Sequence, residues 1–398
     1  MDMSVEAVHF PYMNQRKRPV ISLILCSRND QYMGNSRWRL ETILNYVAQQ
    51  VHELGREKDV EVVIADWGSK IPLREVLELS PAAVRIVSFL LIPPEIGRDL
   101  QKDSPFPEVL ALNAAARRAR GEYIGRIDQD TLVGRRFLEI FFELYEGKRQ
   151  LEVPLNSALL FSNLRMVPYR FAVRCPSLWV VDRLIHWFGW YLEAEISSRM
   201  PFYFRGVGIW LLHRDLWNEC GGYDERMIYM NDMEINMLVR LSQRYKLINF
   251  GKLVNYDFYH LEHYHPSVPR KSSTYRKVNS LSYKDKQTDI FHPNKDDWGL
   301  IKFPLEVQRG SSNRANRELS LVSWPWFELP AFIFLISAVT TQMACDRIIL
   351  FLMGAYHLWC RRAQLVWEAA TKEPLMMWPR LLIKLWRQRS VRMLGQRN

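Results

Sequence analysis

The stretch Gly-Glu-Tyr-Ile-Gly-Arg-Ile-Asp-Gln-Asp, residues 121–130, joins a short apolar strand to two carboxylates that one residue separates. Alternate side chains of a strand point to the same face, so Asp128 and Asp130 can face one cation where the strand ends. Two carboxylates this close repel each other unless a divalent ion or an arginine neutralises them. Ligand sets made of oxygen atoms favour Mg²⁺ or Mn²⁺. The alternative is a solvated turn after an edge strand, and the rest of the sequence decides between the two.

The chain before this motif alternates between apolar runs and amphipathic segments. Apolar runs predict the strands 20–26, 60–65, 84–92 and 123–127. Helical spacing of apolar residues predicts the helices 39–54 and 108–120. This alternation favours an α/β fold with a mainly parallel sheet, whose ligands bind at the carboxyl ends of the strands. Asn29, Asp66 and Asp128 lie at such ends, and residues 92–107 are expected to form a surface connection.

Five blocks in a fixed order carry a resemblance to a known family. They are Ser27-Arg28-Asn29, Asp66-Trp67-Gly68-Ser69, Asn113 with residues 121–130, residues 221–234, and His260. Through these blocks, residues 20–265 resemble a GT-A glycosyltransferase and are most similar to the family 2 glycosyltransferases. The resemblance implies a Rossmann-like, mainly parallel sheet flanked by helices. It also implies an enzyme that transfers a sugar from a nucleotide diphosphate sugar, with UDP as the expected nucleotide.

The resemblance also implies a role for the first blocks. In that family the first two strand ends hold the nucleoside, which implies nucleotide contacts from Ser27, Arg28, Asn29, Asp66 and Asn113. The pair Asp128 and Asp130 is implied to hold Mn²⁺ or Mg²⁺ on the donor diphosphate. One departure concerns Trp67, which stands where family members commonly carry a second acid, so the grip on the nucleotide is expected to differ.

A group of three histidines and one glutamate lies within residues 260–265. A zinc site is one interpretation, but neither a cysteine pair nor a His-Glu-x-x-His helix accompanies the group. Related enzymes place a histidine after their last core strand as a further metal ligand, which implies His260, with His263 as the second choice. The alternative is a histidine packed among Tyr256, Phe258 and Tyr259.

The acceptor side is predicted from residues 206–234. Residues 206–212 predict a strand, and Gly221-Gly222 predicts a tight turn. The resemblance places the catalytic base at Asp232, which would accept the proton of the attacking acceptor hydroxyl. The alternative is that Asn231 or Asp232 only caps the helix that follows. Expected acceptor contacts come from Trp210, Gly221, Gly222, Asn231 and Glu234, and Asn231 departs from the glutamate common in the family.

One base and a metal-bound diphosphate imply an in-line displacement that inverts the anomeric carbon. A retaining GT-A transferase is the alternative within enzymes, since it shares the metal pair but does not need Asp232. A catalytically silent membrane scaffold that binds a nucleotide sugar is the alternative outside enzymes. A scaffold gives no reason for Asp128, Asp130 and Asp232 to occur together.

Composition limits the class of protein. The chain has 398 residues, enough for one core of about 250 residues and an appendage. Its net charge of +11 raises nucleic acid as a partner, but no basic helix, zinc module or RNA-binding aromatic motif supports it. Five cysteines without close pairing favour a reducing compartment. Residues 1–19 are a polar segment without the apolar core of a signal peptide.

The C-terminal part changes in character. Residues 266–323 are polar and predict a linker or a flap over the active site. Residues 324–398 predict amphipathic and hydrophobic helices with basic and tryptophan side chains, typical of helices at a membrane surface. The uncharged run 329–345 is at the lower limit of the roughly 17 to 25 residues that span a bilayer, so interfacial helices are preferred. The alternative is that these helices pack on the catalytic core or on a second copy in a homodimer.

A membrane-associated enzyme of this class is expected on the cytoplasmic face, as a peripheral or monotopic protein. Its acceptor would then be presented at that surface, as a glycan or a lipid-linked glycan in polysaccharide biosynthesis. This expectation depends on the location and on no motif of its own.

Overall fold

A computed structural model describes residues 18–30, 32–101, 104, 106–189, 192, 209–226, 233–263, 294, 296–311 and 337. The chain divides after Trp326, and the part beyond it lies outside the described residues apart from Ser337. The predictions for residues 1–17, for Asn231 and Asp232, and for the membrane-associated C-terminal region therefore fall outside the description, as does the side chain of Glu234.

Strands occupy two sheets. The larger sheet contains β1 (Ile21–Ser27), β2 (Val60–Trp67), β3 (Val87–Ile92), β4 (Tyr123–Arg126), β6 (Ala158–Ser162), β8 (Ile209–His213), β9 (Lys246–Asn249) and β11 (Val307–Arg309). The smaller sheet contains β5 (Thr131–Val133), β7 (Arg165–Val167) and β10 (Phe258–Leu261), in the order β5-β10-β7.

The larger sheet has the order β11-β3-β2-β1-β4-β8-β6-β9. Strands β3, β2, β1 and β4 are parallel, as are β6 and β9, whereas β8 runs antiparallel to both β4 and β6. The predicted α/β architecture with a mainly parallel sheet is therefore confirmed. The carboxyl ends of β1, β2 and β4 lie at one edge of this sheet, because the three strands run in the same direction.

Helices connect these strands. They are α1 (Ser36–Glu53), α2 (Leu73–Val76), α3 (Pro81–Ile86), α4 (Pro94–Gln101), α5 (Glu108–Arg118), α6 (Arg135–Tyr145), α7 (Tyr169–Ala172), α8 (Leu178–Phe188), α9 (Arg214–Glu219), α10 (Met233–Leu241) and α11 (Phe250–Leu253), with a 3₁₀ turn at Leu155–Ser157. No helix within the described ranges is long and apolar enough to cross a membrane.

Two local predictions were wrong. Residues 84–86, predicted as part of a strand, belong to α3, because Ser80 accepts a hydrogen bond from the Ala83 N–H and Pro81 occupies the first helical turn. Residues 94–101, predicted as a connection, form α4. An apolar run alone does not distinguish a buried strand from a short buried helix, and here the cap and the proline decide.

The core lies on both faces of the parallel strands. Every residue of β2 is buried, and β1 is buried except for the half-buried Cys26, as expected for strands covered on both sides. The small side chains of α5, which carries Ala111, Ala114 and Ala115, are buried in the same core cluster.

Residue 294 and residues 296–311 belong to this fold. Strand β11 pairs antiparallel with β3, and Trp298 is buried in the core cluster. The interpretation of residues 266–323 as a linker or flap therefore does not hold for residue 294 and residues 296–311. We refer to these residues as the C-terminal strap. The sequence analysis missed the strap because its apolar residues, among them Trp298, Leu300 and Phe303, are few and lie within a polar segment without a regular period.

Candidate functional site

The candidate site forms where the two sheets meet, just after β4. The chain passes from β4 through Asp128 and Asp130 into β5, and β10 pairs antiparallel with β5 so that His260 lies opposite Thr131. The Leu261 N–H donates a hydrogen bond to the Asp130 carbonyl at 2.9 Å. Pairing between β5 and β10 thus brings two sequence motifs about 130 residues apart into one place.

A carboxylate and two imidazoles form the centre of the site. Nδ1 of His260 lies 3.1 Å from Oδ1 of Asp130, and Nε2 of His263 lies 3.1 Å from Oδ2 of the same carboxylate. One ligand atom from each residue lies within 4.8 Å of the others, which suits coordination of one metal ion. Both predicted histidines therefore lie beside Asp130, the first choice and the second.

Two buried polar atoms of this cluster indicate whether it suits a metal ion. Asp130 Oδ1 and His260 Nδ1 are buried, and neither atom has a hydrogen bond of good geometry within the described part of the chain. Buried polar atoms are normally paired, so two lone-pair atoms that face each other without a hydrogen bond suit a shared cation. The residues present fit a divalent metal.

Electrostatics agree with this assignment. Burial would raise the pKa of Asp130, but the two imidazoles beside it hold that pKa well below its usual range. Burial would lower the pKa of His260, yet the charge and contact of Asp130 raise it to about 9. The charge of Asp130 thus favours a positive charge at His260, which a bound cation could supply in place of a proton.

Asp128 differs from its predicted partner Asp130. Its Oδ1 lies 2.5 Å from Nη2 of Arg126, and the same guanidinium nitrogen lies 3.1 Å from Oε1 of Glu108. Burial raises the pKa of Asp128, while Arg126 lowers it and Asp130 raises it further. An arginine thus lies beside Asp128 and the two histidines lie beside Asp130, and the prediction that both aspartates hold one ion stays a prediction.

Two of the predicted nucleotide-binding residues, Ser27 and Arg28, lie at the carboxyl end of β1. The Ser27 hydroxyl donates to Oε1 of Gln129 at 2.7 Å, which ties the end of β1 to the Asp-x-Asp turn. Arg28 pairs with Asp30 at 2.7 Å and donates to Oε1 of Gln101 at 3.2 Å. About a quarter of the Arg28 side chain is exposed.

Asn29 and Asp66 are joined through Ser69. The Ser69 hydroxyl donates to Oδ1 of Asp66 and accepts from the Asn29 N–H at 2.8 Å, and the Leu73 N–H donates to Oδ2 of Asp66 at 2.7 Å. Asp66 is buried, and burial raises its pKa to about 6 although its hydrogen bonds from Ser69 and Leu73 oppose the rise. In this structure Asp66 holds the loop after β2, and its contact with a nucleotide stays a prediction.

Asn113 has a structural role in this structure. It is fully buried, its Oδ1 accepts from the Tyr223 N–H at 2.8 Å, and its Nδ2 donates to the Tyr223 carbonyl at 2.8 Å and to Glu225 at 3.1 Å. All of these partners belong to the turn before α10. The structure therefore does not support a nucleotide contact by Asn113.

The predicted acceptor residues that the structure describes are also part of the framework. Trp210 is fully buried in the core, so its indole does not line an open cleft. Gly221 and Gly222 have φ values of 68° and 72°, and a Cβ on Gly222 would lie 2.5 Å from Oδ1 of Asn113. The glycines are thus required by a left-handed turn and by close packing. The predicted acceptor contacts of these three residues are not supported.

Three charged residues of the site were missed by the sequence analysis: Arg39, Glu108 and Arg126. Arg126 could have been found, because it precedes Asp128 by two residues and therefore lies on the same face of the strand. Arg39 and Glu108 carry no such local pattern, since they reach the site from the helices α1 and α5.

Comparisons with known proteins add to this geometry. No family model matches the chain, and no curated protein matches it. A structure of S. aureus TarS is similar, with 13% identity, a TM-score of 0.42, and coverage of 71% of this chain and 42% of that chain. TarS 1–349 in complex with UDP-GlcNAc is also similar, with 12% identity, a TM-score of 0.43, and coverage of 68% of this chain and 67% of that chain.

The mannosyltransferase PcManGT from Pyrobaculum calidifontis, in complex with GDP-Man and Mn²⁺, is similar with 16% identity and a TM-score of 0.34. The similarity covers 58% of this chain and 55% of that chain. These solved structures are glycosyltransferases. The chain spans less than half the length of the first TarS structure. Because the TM-scores are below 0.5, these similarities carry no argument for the function.

Proposed function

We propose that the chain is a metal-dependent glycosyltransferase that moves a sugar from a nucleotide diphosphate sugar to a hydroxyl group. The observation that carries the proposal is the cluster of Asp130, His260 and His263 beside the carboxyl ends of β1, β2 and β4. Ligands of open α/β sheets bind at this edge. A cation site and an arginine there suit a diphosphate, which needs its charge neutralised on more than one side.

Asp130, His260 and His263 would hold the metal. A carboxylate with two imidazoles suits Mn²⁺ better than Mg²⁺, which prefers oxygen ligands. When bound, the cation supplies stabilisation of the charge that develops on the leaving diphosphate. Arg28 would bind the same diphosphate from the end of β1, and Ser27 would keep Gln129 and the Asp-x-Asp turn in place.

The proposed donor is a UDP-sugar, on the resemblance of the first three blocks to family 2 glycosyltransferases. The proposed outcome is inversion, with Asp232 as the base that accepts the proton of the acceptor hydroxyl. Asp232 lies outside the described residues, so its support is the sequence motif alone. The anomeric configuration of the product, determined by proton NMR, distinguishes inversion from retention.

The proposed location is the cytoplasmic face of a membrane, and the proposed acceptor is a glycan or lipid-linked glycan at that surface. The support is the distribution of tryptophan and basic residues in 324–398. The proposed metal ligands do not depend on either of these two proposals.

The test uses the purified full chain with a panel of UDP- and GDP-sugars, with Mn²⁺ and with a chelator. We expect release of nucleoside diphosphate with Mn²⁺ only, and a loss of about 100-fold in Asp130→Asn, because loss of a ligand costs at least as much as loss of its supporting partners. The matched control is Asp215→Asn, which alters a carboxylate that is 81% exposed. Turnover that survives both the chelator and Asp130→Asn contradicts the proposal.

A further inference from the structure

Arg39 of α1 is a buried cation beside the metal-binding cluster. Its side chain is 1% exposed, and its Nε lies 3.9 Å from Oδ2 of Asp130. That Nε is buried and has no hydrogen-bond acceptor among the described residues. A buried guanidinium whose Nε is left without an acceptor is costly, so its place next to a ligand carboxylate calls for an explanation.

The other nitrogens of Arg39 hold the loop between β1 and α1. Nη1 donates to the carbonyls of Met33 at 3.3 Å and Gly34 at 2.7 Å, and Nη2 donates to the carbonyl of Tyr32 at 3.0 Å. Met33, Gly34 and Asn35 have φ values of 55°, 70° and 51°. Two of these left-handed residues are not glycine, so the conformation costs energy that the three hydrogen bonds help to offset.

Arg39 therefore links the loop that follows Arg28 and Asn29 to the carboxylate that would hold the metal. A fixed positive charge at this position repels a divalent cation that binds alone, and the repulsion is strong because water is excluded. The same charge attracts the diphosphate of a donor. Arg39 thus has two separable effects: it holds the loop by hydrogen bonds, and it places a positive charge beside Asp130.

We infer that Arg39 makes the Asp130–His260–His263 cluster a weak site for the metal alone and a stronger site for the metal together with a nucleoside diphosphate. The inference rests on the proposed function and deepens it. Arg39 is a positioning residue in this account, because it acts through Asp130 and through the loop. Binding of the two ligands would be coupled, and each would tighten the other by the same factor.

The test measures Mn²⁺ binding to the full chain by electron paramagnetic resonance of free Mn²⁺, without and with UDP. The variants are Arg39→Gln, Arg39→Met and Arg39→Lys. The control is Arg37→Gln, on the same helix, whose side chain is 50% exposed and pairs with Glu41. Hydrogen exchange of residues 30–35 reports the state of the loop in each variant.

We expect Arg39→Gln and Arg39→Met to bind Mn²⁺ alone about tenfold more tightly than wild type, because a buried positive charge has been removed. We expect them to lose most of the gain in Mn²⁺ affinity that UDP gives. Arg39→Lys keeps the charge, so its Mn²⁺ affinity should equal that of wild type although hydrogen exchange of the loop increases. Arg37→Gln should match wild type in every measurement.

Two results overturn the inference. One is a Mn²⁺ affinity in folded Arg39→Gln or Arg39→Met that is equal to or weaker than that of wild type. The other is a tighter Mn²⁺ affinity in Arg39→Lys as well, which would assign the effect to loop opening. Failure of the proposed function gives a different result. Wild type would then bind Mn²⁺ no more tightly than Asp130→Asn, both without and with UDP.

Discussion

At the scale of single residues, the guanidinium of Arg126 forms ion pairs with two carboxylates of the site. Arg126 lies on β4, is almost fully buried, and contacts both Glu108 and Asp128. Glu108 is 10% exposed and Asp128 is 31% exposed, so removal of the arginine would leave one anion in the interior and another at its boundary. Removal of one partner of a buried ion pair is usually more harmful than removal of the whole pair.

Arg126→Met should therefore lower the free energy of unfolding by about 3 to 5 kcal/mol. The double variant Arg126→Met/Glu108→Gln should recover part of this loss, since the more buried carboxylate is then neutral. Urea unfolding of the metal-free protein measures both. If the unfolding free energy of Arg126→Met lies within about 1 kcal/mol of the wild-type value, water compensates the two carboxylates and the prediction is wrong.

Asp66 gives a prediction about pH. Its pKa in the folded protein is about 6, above the ordinary value of 3.8. The folded state thus binds this proton more tightly than the unfolded state. The stability contributed by Asp66 is complete below pH 3.8 and is lost as the pH rises to about 6.

Asp66→Asn cannot ionise, so its stability relative to wild type should improve by about 2 kcal/mol between pH 4.5 and pH 7.5. The comparison uses urea unfolding of both proteins at the two pH values. The control is Asp99→Asn, at an exposed residue of α4, whose difference from wild type should change much less with pH. A constant difference between Asp66→Asn and wild type would refute the shifted pKa.

The three residues of the candidate metal cluster could be named from the sequence, but their partners could not. Asp130, His260 and His263 were all identified from motifs, since each motif states which side chain follows which strand. The separation of Asp128 from Asp130 could not be foreseen, because it depends on Glu108 and Arg126 lying on one side of the turn and on the histidines lying on the other.

At the scale of elements, the C-terminal strap holds the turn that precedes α10. Asn294 donates to the carbonyls of Gly221 at 2.6 Å and Tyr223 at 2.5 Å, and its Oδ1 accepts from the Glu225 N–H at 2.9 Å. The Gly299 N–H donates to Oε1 of Glu225 at 2.8 Å. The strap thus fixes a turn that lies seven residues before the proposed base.

Trp298 anchors the strap. It is 3% exposed, and the guanidinium of Arg117 lies 4.8 Å from the centre of its ring. Trp298→Ala should cost about 3 to 5 kcal/mol of unfolding free energy, because it leaves a large cavity in the core. Ile301→Ala, at a side chain that is 48% exposed, should cost less than about 1 kcal/mol. Equal effects of the two changes would mean that the strap does not depend on its tryptophan.

At the scale of the whole molecule, the four parallel strands and the helices α1 and α5 could be predicted, because hydrophobic periodicity is a local property, whereas the short helices α2, α3 and α4 could not. The position of β11 could not, since it pairs with β3 more than 200 residues earlier in the chain. The acceptor contacts stay predictions. The two glycines were interpreted by motif, whereas Asn113 and Trp298 from distant elements lie against Gly222.

Membrane association is a prediction about the whole chain. In flotation with vesicles that contain anionic phospholipid, the full chain should float and residues 1–326 should not, because the basic and aromatic C-terminal segment is absent from the shorter protein. Vesicles of phosphatidylcholine alone should bind the full chain more weakly. Flotation of residues 1–326 to the same extent as the full chain would assign membrane contact to the catalytic unit.

The pairing of β11 with β3 has a consequence for protein production. A protein that stops at residue 265, where the motifs end, would leave the outer side of β3 with backbone N–H and C=O groups that β11 otherwise satisfies. An open, apolar strand of this kind is a template for pairing with another chain, so the shortened protein should self-associate. Expression boundaries chosen by motif alone would thus favour insoluble material, and a boundary beyond residue 311 would retain the protecting strand.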